Sequence, residues 1–315
     1  MSLILDVVTF GESMVLFAPP DRETLESTSA YHASIGGAES NCAIGLARLG
    51  YSVSWVSRVG RDPFGTRVLK TIRGEGVDVS RVEVYDSAPT GLMFKEPGPG
   101  NTTQVFYYRR QSAAAALSLE QFDSLSAKYL FVTGITPALS ESNRKLTFDA
   151  VERFRASGAK VVFDPNMRFR LWSQNDARNV FVDLARNCDV LIPSLVEAEI
   201  MTGIKGGEAM LDALLSLGPP QVVLKAGEDG AWYADRKDRG FCPSYPVREV
   251  DPVGAGDAFC AGVLSGLIDG QPLRDSVRRG AALGAFCVST FGDYQGLPDR
   301  NGLKAFIEGT QAPGR

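Results

Sequence analysis

Short apolar runs alternate with longer segments of helical period along most of this chain. Val7 to Phe10 reads as a buried strand that stops at Gly11-Glu12, and a polar stretch from Pro19 to Ser34 follows. A helix opens after Gly36-Gly37 and closes at Leu49-Gly50. Tyr51 to Val59 is the next strand and Pro63 to Glu75 its helix. From Tyr129 onward the pattern is regular: strand Tyr129 to Val132, a helix from about Ser140 to Ser157 with Gly158 behind it, and strand Lys160 to Phe163. A helix from about Gln174 to Asn187, strand Val190 to Ile192, a short helix around Glu197 to Thr202 and a helix from Gly207 to Leu217 continue the series. Strand Gln221 to Leu224 and the β pattern of Trp232 to Ala234 end it. Strands alternating with helices predict a mostly parallel sheet with helices on both faces, three layers in all.

Between Val82 and Arg110 the pattern changes. Short alternating runs, Gly91 to Lys95 and Val105 to Arg110, are separated by Pro97-Gly98-Pro99-Gly100-Asn101, which is hairpin or meander chemistry. We expect a small β-lid over the main domain, formed by about 12–34 and 82–113 within a single domain spanning the chain. A period of two puts Tyr107 and Arg109 on one face and Tyr108 and Arg110 on the other. The first pair either snorkels at a solvated edge or faces inward toward an acidic, hydroxyl-rich ligand.

Near the C-terminus, a strand-like segment from Tyr245 to Val250 leads into Asp251-Pro252-Val253-Gly254-Ala255-Gly256-Asp257. The helix that opens there runs to about Ile268 and is apolar nearly all round, so it is predicted to be buried. Gly254 and Gly256 clear side chains from the helix start, where backbone N–H groups lack intrahelical partners and the dipole favours an anion. Asp257 sits in this same pocket. It either caps a buried helix or takes a proton from a substrate hydroxyl while the amides hold a phosphoryl group. A helix N-terminus favours the ionised carboxylate, so a weak base is expected there. A further helix from about Leu273 to Val288 runs into Ser289-Thr290-Phe291-Gly292.

Ligands on parallel sheets bind beyond the C-terminal ends of the strands. That rule singles out Asp164-Pro165-Asn166-Met167-Arg168 after one strand and Lys225-Ala226-Gly227-Glu228-Asp229-Gly230 after another. Arg168 could clamp a carboxylate or phosphate bidentately or simply stand exposed on a turn.

Composition narrows the chemistry. The net charge of −4 argues against a nucleic-acid or anionic-membrane surface. No stretch is long and apolar enough for a membrane span, and the short apolar N-terminus contains Asp6 and lacks a basic flank. Five scattered cysteines without a Cys-x-x-Cys pair suit buried thiols in a reducing, cytoplasmic setting. With a single histidine, His32, Ser-His-Asp, Cys-His and multi-His metal chemistry is nearly excluded, and a carboxylate is left as the general base.

Two signatures, Gly36-Gly37-Ala38-Glu39-Ser40-Asn41-Cys42-Ala43 and Asp251-Pro252-Val253-Gly254-Ala255-Gly256-Asp257, resemble those of the ribokinase-like sugar kinases of the PfkB family. The resemblance runs from Asp6 to about Pro298. Within the family the chain is similar to the kinases of 2-keto-3-deoxygluconate, through Tyr107-Tyr108-Arg109, Ser112-Ala113-Ala114 and Asp164-Pro165-Asn166-Met167-Arg168. The resemblance implies a ribokinase-like α/β/α fold and transfer of phosphate from ATP, with magnesium, to a terminal 6-hydroxyl. A monovalent cation is a further candidate activator, and a homo-oligomer is expected. Carried over by position, Asp257 would be the base and Gly254, Ala255 and Gly256 the amide anion hole. Gly36, Gly37, Asn41, Met93, Tyr107, Arg109 and Arg168 would line the sugar pocket. Lys225, Gly227, Gly230 and Gly292 would lie near the nucleotide. Met93 stands where the subgroup often has Tyr, and Ser194-Leu195-Val196-Glu197 replaces an Asn-x-x-Glu motif, leaving Glu197 as an indirect metal contact. Rival readings are a kinase for fructose, ribose or a related deoxy-keto acid, and a non-catalytic sugar or nucleotide sensor.

Overall fold

The computed structural model describes residues 4–20, 23–98 and 102–309. In chain order, β1 (Leu5–Phe10), β2 (Met14–Ala18) and β3 (His32–Gly36) lead to α1 (Ala38–Arg48), β4 (Val53–Gly60) and α2 (Pro63–Gly74). Then come β5 (Val82–Tyr85), β6 (Leu92–Pro97) and β7 (Thr103–Tyr108). The next stretch comprises β8 (Ala127–Thr133), α3 (Thr136–Leu139), α4 (Glu141–Ala156), β9 (Lys160–Asp164), α5 (Gln174–Ala185) and β10 (Val190–Leu191). It continues with α6 (Leu195–Thr202), α7 (Gly207–Leu215), β11 (Gln221–Lys225), β12 (Gly230–Ala234) and β13 (Arg239–Pro243). Helices α8 (Ala255–Ile268), α9 (Leu273–Val288) and α10 (Arg300–Gly309) follow.

Because strand side chains alternate, buried strands here feed two cores at once. Tyr129 and Phe131 of β8 pack with residues of α1, α2, α8 and α9 on one face. Leu130 and Val132 pack with residues of α4, α5, α6 and α7 on the other. The sheet between them has nine strands in the order β13-β12-β11-β10-β9-β8-β1-β4-β5. Pairing is parallel from β5 through β11. β12 and β13 extend it antiparallel. The chain leaves β1 toward β4 and later returns to its other side with β8. This reversal of strand order opens a crevice beyond the C-terminal ends of β1 and β8.

A second, four-stranded sheet has the order β3-β2-β6-β7. Its register pairs Leu16 with Met93 and Met93 with Tyr107, so these side chains share one face with Lys95 and Val105. Phe17 and Phe94 stack on the opposite face, with Tyr31 and Tyr108 edge-on to Phe94.

Two sequence expectations are corrected and one helix is added. Val82–Tyr85 is assigned above to the small sheet, but it pairs in parallel with β4 on the large one. Tyr245 to Val250 forms no strand; the ladder ends at β13, and Val250 N–H merely bonds Val288 O. α10 is additional, a helix with Asp299 accepting from Gly302 N–H at its start. Residues 99–101 of the proposed hairpin turn lie outside the described residues. No helix among the described residues is long and apolar enough to cross a membrane.

Candidate active site

Asp257 is 7% exposed in the first turn of α8, and two amide side chains hold its carboxylate. Asn41 Nδ2, one turn into α1, donates to Oδ2 at 2.9 Å, and Asn166 Nδ2 donates to Oδ1 at 3.1 Å. Asn166 lies just past β9 with a left-handed φ of 41°, a conformation that Asn tolerates better than most residues. Its own N–H bonds Asp164 Oδ1, so a strained turn aims its amide across the crevice. Asn41 Oδ1 is buried and has no partner among the described residues, which leaves an acceptor open beside Asp257.

Burial pushes the Asp257 carboxyl above its ordinary value, against the Asn41 hydrogen bond and the Arg168 charge, which pull it down. The helix start alone predicts a weak base; desolvation outweighs it and makes Asp257 a better one.

The anion pocket takes shape around Gly254, whose φ is 85°. A Cβ there would lie 2.2 Å from Asp293 O, so the turn needs glycine on both grounds. Ala255 N–H turns back to Pro252 O at 3.3 Å, so this amide, assigned above to the anion hole, is engaged within the turn. The first-turn amides of Gly256 and Asp257 have no intrahelical partner. Lys225, at the end of β11, stands beside them, with Nζ 3.9 Å from the place a Gly256 Cβ would occupy. The ammonium is held by both oxygens of Asp164, at 2.7 and 2.8 Å. Burial pulls the Lys225 ammonium down, but Asp164 outweighs it and the group stays charged.

The remaining residues named from sequence separate into groups. Gly36 and Gly37 lie where the small sheet meets α1; Cβ atoms there would meet Met93 Cε and Asp293 Oδ2 at 2.5 Å, and Glu12 O at 2.2 Å. Met93 and Tyr107 are neighbours on the inner face of the small sheet. Arg109 lies 5.7 Å from the Tyr107 ring centroid, and its Nη2 is 2.5 Å from Glu12 Oε2. Its charge is thus matched by a protein carboxylate. Gly292, with φ of 102°, donates its N–H to Asp251 Oδ2 at 3.3 Å. Gly227 and Gly230 flank the turn between β11 and β12; Gly230 allows β12 to approach Cys242 O, while Gly227 faces open space. Glu197 closes a capping box with Ser194 and also accepts from Met167 N–H at 2.6 Å, so backbone amides occupy both its oxygens.

Sequence reading missed Glu12, Lys95, Asn166 as an Asp257 partner, and Arg170. The signals were present: Glu12 follows the end of β1, as Asp164 ends β9, and Lys95 shares the parity of Met93.

A cleft of about 1130 Å³ opens between β7 and residues 167–171. Its walls include Tyr107, Arg109, Arg110, Arg168 and Arg170 and, among the described residues, no Asp or Glu. Arg168 lies at its inner end, close enough to Asp257 to lower its proton affinity. The arrangement offers a guanidinium-lined cleft, a positioned carboxylate and an amide-lined anion pocket beside a lysine. Those are the parts needed to pass a phosphoryl group to an alcohol.

Comparison with known proteins agrees. Residues 5–300 match the model of the pfkB family carbohydrate kinases. The chain is 42% identical to a 2-dehydro-3-deoxygluconokinase of Bacillus subtilis over 96% of its length and 95% of that protein. It is 34% identical to a 2-dehydro-3-deoxygalactonokinase of Haloferax volcanii, covering 91% of this chain and 92% of the relative. A double mutant of a Vibrio cholerae fructokinase, solved with fructose, ADP and potassium, superposes with a TM-score of 0.86 at 27% identity, over 98% of this chain and all of that one. The fold is therefore ribokinase-like, and this chain belongs to the PfkB family of carbohydrate kinases.

Proposed function

We propose that the protein transfers the terminal phosphoryl group of ATP to the 6-hydroxyl of 2-keto-3-deoxygluconate. The observation that carries the acid-sugar assignment is the cleft with Arg109, Arg110, Arg168 and Arg170 in its walls and, among the described residues, no Asp or Glu lining it. Arg109 is already paired with Glu12, so the substrate carboxylate falls to Arg168, for which no ion pair is formed among the described residues. Similarity to the gluconate- and galactonate-type kinases supports the same class of substrate.

In this reading the sugar enters beside Tyr107 and Arg168, with its terminal hydroxyl at Asp257. The hydroxyl oxygen forms the new bond to the terminal phosphorus, the bond from that phosphorus to the ADP oxygen breaks, and Asp257 takes the proton. Asn41 and Asn166 fix the carboxylate, and its raised proton affinity suits it to receive the proton late. The amides of Gly256 and Asp257 and the Lys225 ammonium meet the charge on the transferred group.

Magnesium normally keeps several waters and binds through substrate phosphates and one or two carboxylates. Among the described residues no cluster of three or more metal-binding side chains forms a cage. The nearest carboxylates, Asp164 and Glu197, already hold the Lys225 ammonium and backbone amides, so magnesium there would be held through its waters and the phosphates. When bound with the nucleotide, it neutralises charge on the terminal phosphates.

The test is Asp257→Asn, assayed by ADP release over a panel of sugars and sugar acids. Sugar binding should persist while kcat falls by roughly 10²–10⁴-fold. Near wild-type turnover in this variant would refute the assigned base. A wild-type preference for fructose or ribose would instead refute the acid substrate.

A further inference from the structure

Lys95 is an unusual lysine. It lies on β6 with the parity of Met93, so it points off the small sheet toward the large one, and it is only 5% exposed. Its ammonium donates to Asp293 Oδ1 at 2.5 Å and lies 4.0 Å from Asp251 Oδ2. Both carboxylates are part of the α8 entrance. Asp251 accepts from Val253 N–H through Oδ1 and from Gly292 N–H through Oδ2, which shapes the turn ahead of Gly254. Asp293 packs its backbone carbonyl against Gly254, and its charge also raises the proton affinity of Asp257.

An anion pocket flanked by two buried carboxylates needs a positive charge close by, or the phosphates it is built for would be repelled. In the potassium-bound fructokinase that superposes on this chain, a free monovalent cation is present. Here the carboxylates gathered at the α8 entrance already hold an ammonium. Potassium and ammonium ions are similar in size and equal in charge, so a free cation drawn to Asp251 and Asp293 would have to compete with Lys95 for their oxygens. These two carboxylates, with their charge already met, therefore do not fit a required monovalent cation.

We infer that Lys95 is a tethered cation that neutralises Asp251 and Asp293 beside the phosphate pocket and makes turnover independent of free monovalent cations. It is a positioning residue, acting on the nucleotide phosphates through the two aspartates. A cavity of about 320 Å³, lined by Leu16, His32, Lys95, Asp251, Phe291 and Gly292 among others, gives small solutes a route to the same spot. Removing the lysine side chain should open a place that a small cation can fill.

The inference rests on the kinase reading, and one assay separates the two. Steady-state ADP release by the wild type is measured in potassium, sodium and choline chlorides at equal ionic strength, with Lys95→Ala and Lys95→Met alongside. The wild type should turn over within about twofold in all three salts. In choline, Lys95→Ala should lose at least roughly tenfold in kcat/KM for ATP, with KM for the sugar little changed. Potassium, ammonium or ethylammonium should restore most of that loss. A purely structural ion pair would lower Tm without any such cation-specific recovery. Lys95→Met, which keeps the apolar stem, serves if the alanine variant does not fold, and the wild-type salt series decides by itself if neither does. Several-fold activation of the wild type by potassium, or a folded variant that no cation rescues, would overturn the inference. No ADP release by the wild type with any sugar would instead defeat the kinase reading.

Discussion

Glu39 sits fully buried in the first turn of α1, within electrostatic reach of the Asp257 carboxylate. Its Oε1 accepts from the hydroxyls of Thr133 at 2.6 Å and Thr136 at 2.8 Å, and no described group pairs with Oε2. Burial raises its carboxyl from an ordinary 4.5 to about 7; the two hydroxyls pull the other way, and the Asp257 charge adds to the rise. The folded protein therefore holds a proton that the unfolded chain releases between those two values. Stability from this group is complete below about pH 4.5, declines as pH rises, and is gone above about pH 7. The span is worth about 3 kcal/mol. Glu39→Gln keeps an oxygen for the two threonines and cannot ionise, so its stability should lack that decline. Urea unfolding of both proteins at half-unit steps from pH 5 to pH 8 gives the difference directly. The variant should gain on the wild type by about 2–3 kcal/mol across that range, with most of the change complete by about pH 7. A difference that stays flat with pH would show that Glu39 is ionised throughout and would refute the reasoning.

Two other substitutions probe the pocket and the cleft. Gly254→Ala places a side chain at φ of 85° against Asp293 O, so about 1–2 kcal/mol of strain plus the clash should lower Tm. Because the same turn shapes the anion pocket, kcat should fall roughly tenfold or more in steady-state assays. Arg168→Ala should raise KM for an acid sugar by about 10–100-fold, the usual size for a charged hydrogen bond, and barely affect a neutral one. Arg109→Ala should act mainly on stability, by about 3–5 kcal/mol in urea unfolding, because it strands the buried Glu12 carboxylate.

The layered sheet was legible because its strands are short apolar runs bounded by glycine, proline or polar turns, and its helices carry an obvious period. Val162 between Val161 and Phe163 shows how far that goes: all three are apolar, as a strand covered on both faces requires, and alternate ones serve different cores. Edges were harder. β5 reads Val-Glu-Val-Tyr, the same alternation as a small-sheet strand, and only its pairing with β4 decides where it belongs. β13 is half exposed along its length and carries little apolar signal, so the Pro-rich segment after it looked like the better strand. At the site, the rule that strand ends carry function located Asp164, Arg168 and Lys225, and the glycine pattern located Gly254 and Gly256. The ion pairs escaped, because Lys95 and Asp293, like Glu12 and Arg109, meet only through tertiary packing between distant segments. Arg109, read from sequence as a ligand contact, turned out to be half of one of them.

Those two pairs also bear on how the small sheet moves. Glu12 grips the far end of β7 while Asp293 grips β6, so the sheet is fastened to its support at two dry, charged points. A rigid-body swing must rehydrate four ionised groups together, whereas the hydrophobic contacts around Met93 can slide at little cost. Admission and release of ligands would then be timed by the unfastening of these electrostatic rivets, a timing that salt changes little because buried pairs are weakly screened.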